Sequence, residues 1–143
     1  MNKVNIVYYS FTGNTLRMVK AFEKGLQEAG VPFKSYSVVE LKNDDEAFDC
    51  DILALASPAN QTEEIEKNYF QPFMERNKEK FKEKKVYLFG TFGWGHGKFM
   101  SEWIKQVEEF GANIVELPMA CNGYPKSETR EKLQELAKKI ASE

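Results

Sequence analysis

Val4-Asn5-Ile6-Val7-Tyr8-Tyr9-Ser10-Phe11-Thr12-Gly13-Asn14-Thr15 opens as an apolar run and stops abruptly in hydroxyls, a glycine and an asparagine. Apolar residues three or four apart follow at Leu16, Val19, Phe22 and Leu26, the spacing of one helix face. The stretch therefore predicts a strand, a tight turn and a helix. Such a turn aims several backbone N–H groups at one point, Ser10, Thr12 and Thr15 add hydroxyls, and the helix dipole favours an anion in front of it. Taken alone, the stretch fits a phosphate seat or an ordinary helix-capping turn. A Walker-type loop would end in Gly-Lys-Ser/Thr, and a dinucleotide fingerprint would read G-x-G-x-x-G; neither pattern is present, and no lysine or arginine lies inside the loop. An uncharged seat suits a phosphate monoester on a tightly held ligand better than a reactive polyphosphate.

Outward from this unit the chain alternates strand and helix. Apolar runs at 4–9, 33–38, 52–56, 86–89 and 113–117 predict five strands, and helical spacing appears at 15–29, 65–80, 99–110 and 126–141. The second crossover, 41–48, holds one or two helical turns at most, and its acidic cluster Asp44, Asp45 and Glu46 reads as a solvated helix start. Gly30 and Gly111 mark helix ends, and Pro125 with Ser127 opens the last helix. Alternation of this kind demands right-handed crossovers and a parallel sheet covered on both faces, for which 2-1-3-4-5 is a common doubly wound order. Ligands of such sheets sit beyond the carboxyl ends of the strands at the switch point, here between strands one and three. The loops after strands one, three and four should meet there.

The loop after strand four, Leu88-Phe89-Gly90-Thr91-Phe92-Gly93-Trp94-Gly95-His96-Gly97-Lys98, carries glycines that let backbone approach a ligand and an indole that offers a flat stacking face. By itself it fits equally a buried tryptophan with glycines that only shape the turn. Joined to the phosphate seat, it describes a phosphorylated aromatic ligand lying across strand ends. His96, the lone histidine, has no paired carboxylate or nucleophile near it in sequence, and no chemistry is assigned to it.

Composition narrows the field. The 143 residues are one domain by size, 1–143. A net charge of −2 advertises no nucleic-acid surface, and no apolar run approaches a membrane span. The start shows no signal-peptide pattern, which leads to the expectation of a cytoplasmic protein. Cys50 and Cys121 lack partners at metal or disulfide spacing and read as idle thiols. The run Lys78-Glu79-Lys80-Phe81-Lys82-Glu83-Lys84-Lys85 enters strand four from its amino end, so the opposite, ligand-bearing end should be the more acidic pole and suit a basic partner edge.

Ser10-Phe11-Thr12-Gly13-Asn14-Thr15 resembles the S-x-T-G-N-T phosphate loop of flavodoxins, and Phe92-Gly93-Trp94-Gly95-His96-Gly97-Lys98 resembles the loop whose aromatic covers the flavin. Residues 51–57, Glu63, Phe70-Gln71-Pro72-Phe73 and the tail from Leu117-Pro118 to Pro125 fall in the order and spacing of short-chain, clostridial-type flavodoxins. The resemblance implies an α/β flavodoxin-like fold, a doubly wound five-stranded parallel sheet of order 2-1-3-4-5 with helices on both faces. It implies FMN held noncovalently by Ser10, Phe11, Thr12, Gly13, Asn14 and Thr15, by Ser57, Pro58, Ala59, Asn60, Gln61 and Glu63, and by Thr91, Phe92, Gly93, Trp94, Gly95 and Gly97. No catalytic residue or metal ligand is implied. The activity implied is low-potential electron transfer, one electron at a time, by a monomer between redox partner proteins, a reductase donor and an oxidoreductase acceptor. The alternatives are a small FMN-dependent oxidoreductase of quinone-reductase type and a flavodoxin-like activator of ribonucleotide reductase. Either would need a nicotinamide or substrate pocket beside the ring, and no insertion supplies one. A phospho-receiver of the same strand order would need paired acids after strand one and an aspartate ending strand three, where Ser10 and Ser57 stand.

One segment departs from the resemblance. Registered on Phe70-Gln71-Pro72-Phe73, residues Ala59-Asn60-Gln61-Thr62-Glu63 fall where the family has a stacking residue, a glycine and acids. In the family that glycine's peptide turns to meet flavin N5 in the neutral semiquinone, and Glu63 matches a carboxylate at the other end of the ring. Gln61 would resist the turn, since a non-glycine residue at positive φ costs roughly 1–2 kcal/mol; Asn60 tolerates that region better and would serve if the register slips by one. Glu63, Glu64 and Glu66 fit equally a helix start favoured by its dipole.

Overall fold

A computed structural model describes residues 2–60, 64–93 and 96–143. The elements run β1 (Val4–Tyr8), α1 (Asn14–Ala29), β2 (Phe33–Ser37), α2 (Asp44–Phe48), β3 (Ile52–Pro58), α3 (Phe70–Arg76), β4 (Lys85–Phe92), α4 (Lys98–Glu109), β5 (Asn113–Ile114), β6 (Met119–Asn122) and α5 (Ser127–Ala141). All strand pairs are parallel, in the order β2-β1-β3-β4-β5, with β6 also paired to β4. The expected doubly wound sheet is present.

The fifth strand, expected over 113–117, is divided. Asn113 and Ile114 pair with Lys85 and Val86, and residues 119–122 pair with 89–92 farther along the same edge. Pro118 has no N–H to give the ladder, and Leu117 beside it turns out to solvent at 84 % exposure. The sheet therefore has a short sixth strand, which carries the edge up to the ligand-bearing end.

Strand alternation sends Val4, Ile6, Ile52, Ala54, Ala56, Tyr87 and Phe89 to the face under α1 and α5, and Val7, Leu53, Leu55, Val86 and Leu88 to the face under α2, α3 and α4. Central strands buried on both faces are what a parallel sheet requires. Asn5 is the polar exception in β1: fully buried, its amide donates to the carbonyls of Glu46 and Ala47 at 3.1 Å each and so ties α2 to the sheet. Close packing fixes two glycines. A Cβ on Gly25 would lie 2.3 Å from the Gln134 carbonyl oxygen where α1 crosses α5, and one on Gly90 would lie 1.9 Å from the Ser57 carbonyl oxygen between β3 and β4.

The helix expected over 65–80 begins later. The Glu66 carboxylate accepts the amides of Asn68, Tyr69 and Phe70 at 2.7–2.8 Å, satisfying the free N–H groups of a helix start, so α3 begins at Phe70. It gives way at Asn77, whose side chain donates to the Phe73 carbonyl at 2.8 Å, to a 3-10 turn over Lys78–Phe81.

Candidate functional site

At the carboxyl ends of β1, β3 and β4 a cleft of about 600 Å³ opens, the topological position expected of a ligand site. Phe11, Thr12 and Asn14 line it from the first loop, Pro58, Ala59 and Asn60 from the second, and Thr91, Phe92 and Gly93 from the fourth strand's end. The three loops that the sequence singled out therefore do meet.

The first loop has the tight turn into a helix that the sequence led one to expect. Gly13 stands before α1 at φ 96°, a left-handed conformation that a side chain would strain. The Arg17 amide takes the Gly13 carbonyl at 3.0 Å and starts the helical ladder, and the Leu16 amide donates to Ser10 Oγ at 3.1 Å. The amides of residues 11 to 15 have no acceptor among the described residues. The hydroxyls are divided in use. Thr12 is exposed, and Ser10 keeps its proton after accepting from Leu16. Thr15 is 1 % exposed, and its Oγ1 lies 2.9 Å from Thr91 Oγ1, so this pair locks the first loop to the end of β4.

Ser57 is fully buried behind the second loop, donating to the Pro58 carbonyl at 2.8 Å and accepting the Glu66 amide at 3.0 Å. Asn60 clamps the neck of that loop: its backbone amide donates to the Glu64 carbonyl at 2.7 Å, and its side-chain oxygen accepts the Glu64 amide at 3.2 Å. Its backbone is not left-handed. The described non-glycine residues at positive φ are Glu83 and His96, at 62° and 53°. Gln61, Glu63, Trp94 and Gly95 lie outside the described residues, and with them the expected stacking indole and ring-end carboxylate. Gly97 sits at the start of α4 against Phe92, with a Cβ there 3.5 Å from the phenyl ring, and supports the cleft wall rather than lining it.

Four residues that sequence reasoning passed over also line the cleft: Tyr9, Glu66, Asn68 and Gly123. Tyr9 stacks on Tyr69 with ring centroids 6.0 Å apart; burial first, then the charges of Glu66 and Tyr69, push its phenol up, so it remains a proton donor at neutral pH. Its place one residue past β1 was a usable signal. Glu66 and Gly123 carried none, since they reach the cleft only through the late start of α3 and the extra strand. Both thiols are half-buried, and burial raises both above their ordinary range; Cys121 sits just behind the cleft on β6, paired with Thr91 and with its Sγ 3.9 Å from the Gly123 carbonyl oxygen.

This end of the sheet carries both signs: Glu66 lines the cleft, and a basic strip lies behind the first loop. Arg17 folds back over the loop, its Nη1 3.1 Å from the point a Gly13 Cβ would occupy, and Lys20, Lys24 and Arg130 continue a basic strip between α1 and α5.

Comparison with known proteins agrees with the architecture. The family model described as Flavodoxin matches residues 6–139. The flavodoxin of Clostridium beijerinckii is 37% identical over 139 residues, 97% of this chain and 99% of the relative, and that of Megasphaera elsdenii is 38% identical over 112 residues, 78% and 81%. Among solved structures, that of two-electron reduced Megasphaera elsdenii flavodoxin superposes with a TM-score of 0.83 at 35% identity, covering 95% of this chain and 98% of that one. A flavodoxin from the domain Archaea gives 0.87 at 22% identity, covering 98% and 96%, a likeness of fold alone.

Proposed function

The chain belongs to the flavodoxin family, electron carriers whose cofactor is FMN, and we propose that the 600 Å³ cleft over β1, β3 and β4 is where this chain holds it and from where it passes single electrons at low potential to redox partner proteins. The observation that carries this reading is the run of amides from residue 11 to residue 15, at the start of α1, that have no acceptor among the described residues, with the exposed Thr12 hydroxyl beside them. That is the donor set for a phosphate monoester. The cleft volume falls in the range of cofactor sites, about 300–1,000 Å³.

Bound there, FMN supplies a ring that takes up and gives back one electron at a time. The chain's own part is to hold, orient and bias. Ser10 through Thr15 seat the phosphate, with Ser10 and Thr15 fixing the loop through Leu16 and Thr91. Pro58, Ala59 and Asn60 and, from β4, Thr91, Phe92 and Gly93 line the same cleft and would hold the ring, and Trp94 and Glu63 are assigned to the same site from the sequence pattern. Glu66, held by three amides, fixes a negative charge on the wall and makes a second anion beside it more costly. We assign the protein to the cytoplasm as a monomer. The described helices include none long and apolar enough to cross a membrane.

The test is a relay assay. The FMN-loaded protein mixed with NADPH alone should leave the NADPH unoxidised, whereas catalytic amounts placed between an NADPH-dependent reductase and cytochrome c should carry electrons. Steady NADPH oxidation by the protein alone would overturn the carrier reading in favour of an oxidoreductase.

A further inference from the structure

A second cleft, about 520 Å³, runs down the crossing of α1 and α5 from the back of the phosphate loop. Arg17, Lys20, Lys24 and Arg130 line it, and no carboxylate among the described residues does. The three α1 cations recur at three and four residues, one helix face. Lys20 has a counter-charge in Glu23 at 3.4 Å, yet its side chain is 69% exposed. At the head of the groove Tyr124, 53 % exposed, is flanked by two guanidinium groups, Arg17 at 5.1 Å and Arg130 at 5.9 Å from its ring centroid. Phe11, 83 % exposed, stands on the phosphate loop itself.

Three features of this surface point the same way. Exposed aromatics beside arginines are the composition of interface hot spots. Its charge is opposite in sign to the net −2 of the chain, so it is a local attraction rather than a general one. It is also continuous with the electron-carrying cleft, because Thr12 lines both and Tyr124 follows Gly123 at the rim of the first. We propose that the α1–α5 groove, with Phe11 and Tyr124 at its head, is the docking surface for the acidic face of a redox partner protein. This rests on the carrier reading above. It reverses the complementarity that the lysine run alone suggested.

The test uses the FMN-loaded protein and one haem protein in two charge forms, native cytochrome c, which is basic, and cytochrome c with its lysines succinylated, which is acidic. In each reaction one electron leaves the reduced protein and converts one ferric haem to ferrous. In stopped flow at 20 mM salt the natural protein should reduce the succinylated form faster than the native form, and that rate should fall about tenfold by 300 mM salt, within the range of electrostatic steering. Lys20→Gln/Lys24→Gln/Arg130→Gln should lose most of the advantage and most of the salt dependence. The same loss of three charges at the other end of the sheet, Lys78→Gln/Lys82→Gln/Lys85→Gln, should not. Flavin absorbance and the thermal midpoint report that each variant is loaded and folded. Equal loss in both triple variants, or a groove variant with the natural rate and salt slope, would overturn the docking surface while leaving the carrier reading in place. Failure to reduce either haem form would overturn the carrier reading and this one with it.

Discussion

Replacing Thr15 or Thr91 by valine removes half of a buried hydroxyl pair, and the arrangement fixes what should follow. The two Oγ1 atoms are 2.9 Å apart, and the residues are 1 % and 6 % exposed, so water cannot replace the lost partner. Each single substitution leaves a buried hydroxyl without its bond, a cost of about 1–3 kcal/mol. Thr15→Val/Thr91→Val removes both polar groups and keeps the shape, and should cost much less than the sum of the two, with a coupling on the order of 1–2 kcal/mol. In urea unfolding of the apoprotein, with a slope of about 2 kcal/mol per molar, each single variant should lower the midpoint by roughly 0.5–1.5 M, and the double variant should recover part of that loss. Purely additive losses, or single variants within about 0.2 M of the natural protein, would show that the pair does not lock the first loop to β4.

Gly25→Ala should destabilise the protein by about 1–3 kcal/mol, because the added methyl meets the Gln134 carbonyl at 2.3 Å and the Ala137 methyl at 2.8 Å; a thermal midpoint unchanged within a degree would refute that packing. Asp44 accepts from Arg76 at 2.6 and 3.1 Å and from Asn77 at 2.8 Å, and the Arg76 hydrogen bond holds its carboxyl below the usual carboxylate range. A depressed folded-state pKa stabilises above the unfolded value, near 4, and the gain is lost as pH falls through the folded value. Asp44→Asn should therefore cost up to about 1 kcal/mol at pH 7 and progressively less as the pH falls below about 4, read by denaturation across that range; a constant deficit would contradict it. Arg17→Gln should weaken FMN by roughly 1 kcal/mol at low salt, about fivefold, and leave riboflavin unaffected in a fluorescence titration; equal losses for both ligands would mean that Arg17 acts on the loop's shape rather than on the phosphate charge.

The parts of this molecule that were legible in the sequence are those set by periodicity and by turn chemistry. The 3.6-residue spacing of Val19, Phe22 and Leu26 and the doubly buried strands Val4–Tyr8 and Ile52–Pro58 place the layers, and the hydroxyl-glycine turn after Tyr9 places the first wall of the cleft. What escaped depends on contacts across the fold. The late start of α3 is due to one carboxylate, Glu66, reaching three amides, and three glutamates close together in sequence gave no means of choosing it. The sixth strand is four residues long, alternately half-buried and exposed, too short to show a period. The basic groove was invisible because its cations are spread over α1 and α5, more than a hundred residues apart in the case of Arg17 and Arg130, and become neighbours only when Gly25 lets the two helices close on each other.

The most direct test of the account is a titration of the apoprotein with FMN and with riboflavin under the same conditions. The two ligands share the ring and differ by the phosphate, for which the amides of residues 11 to 15, without acceptors among the described residues, and the Thr12 hydroxyl are the proposed donors. Two charge-assisted hydrogen bonds alone are worth about 3–6 kcal/mol, so FMN should saturate the protein at one per chain with an affinity at least about a hundredfold above that of riboflavin. Equal affinities, or no binding of either flavin, would contradict the assignment of the first loop as a phosphate seat and of the cleft as the place where this chain carries its electrons.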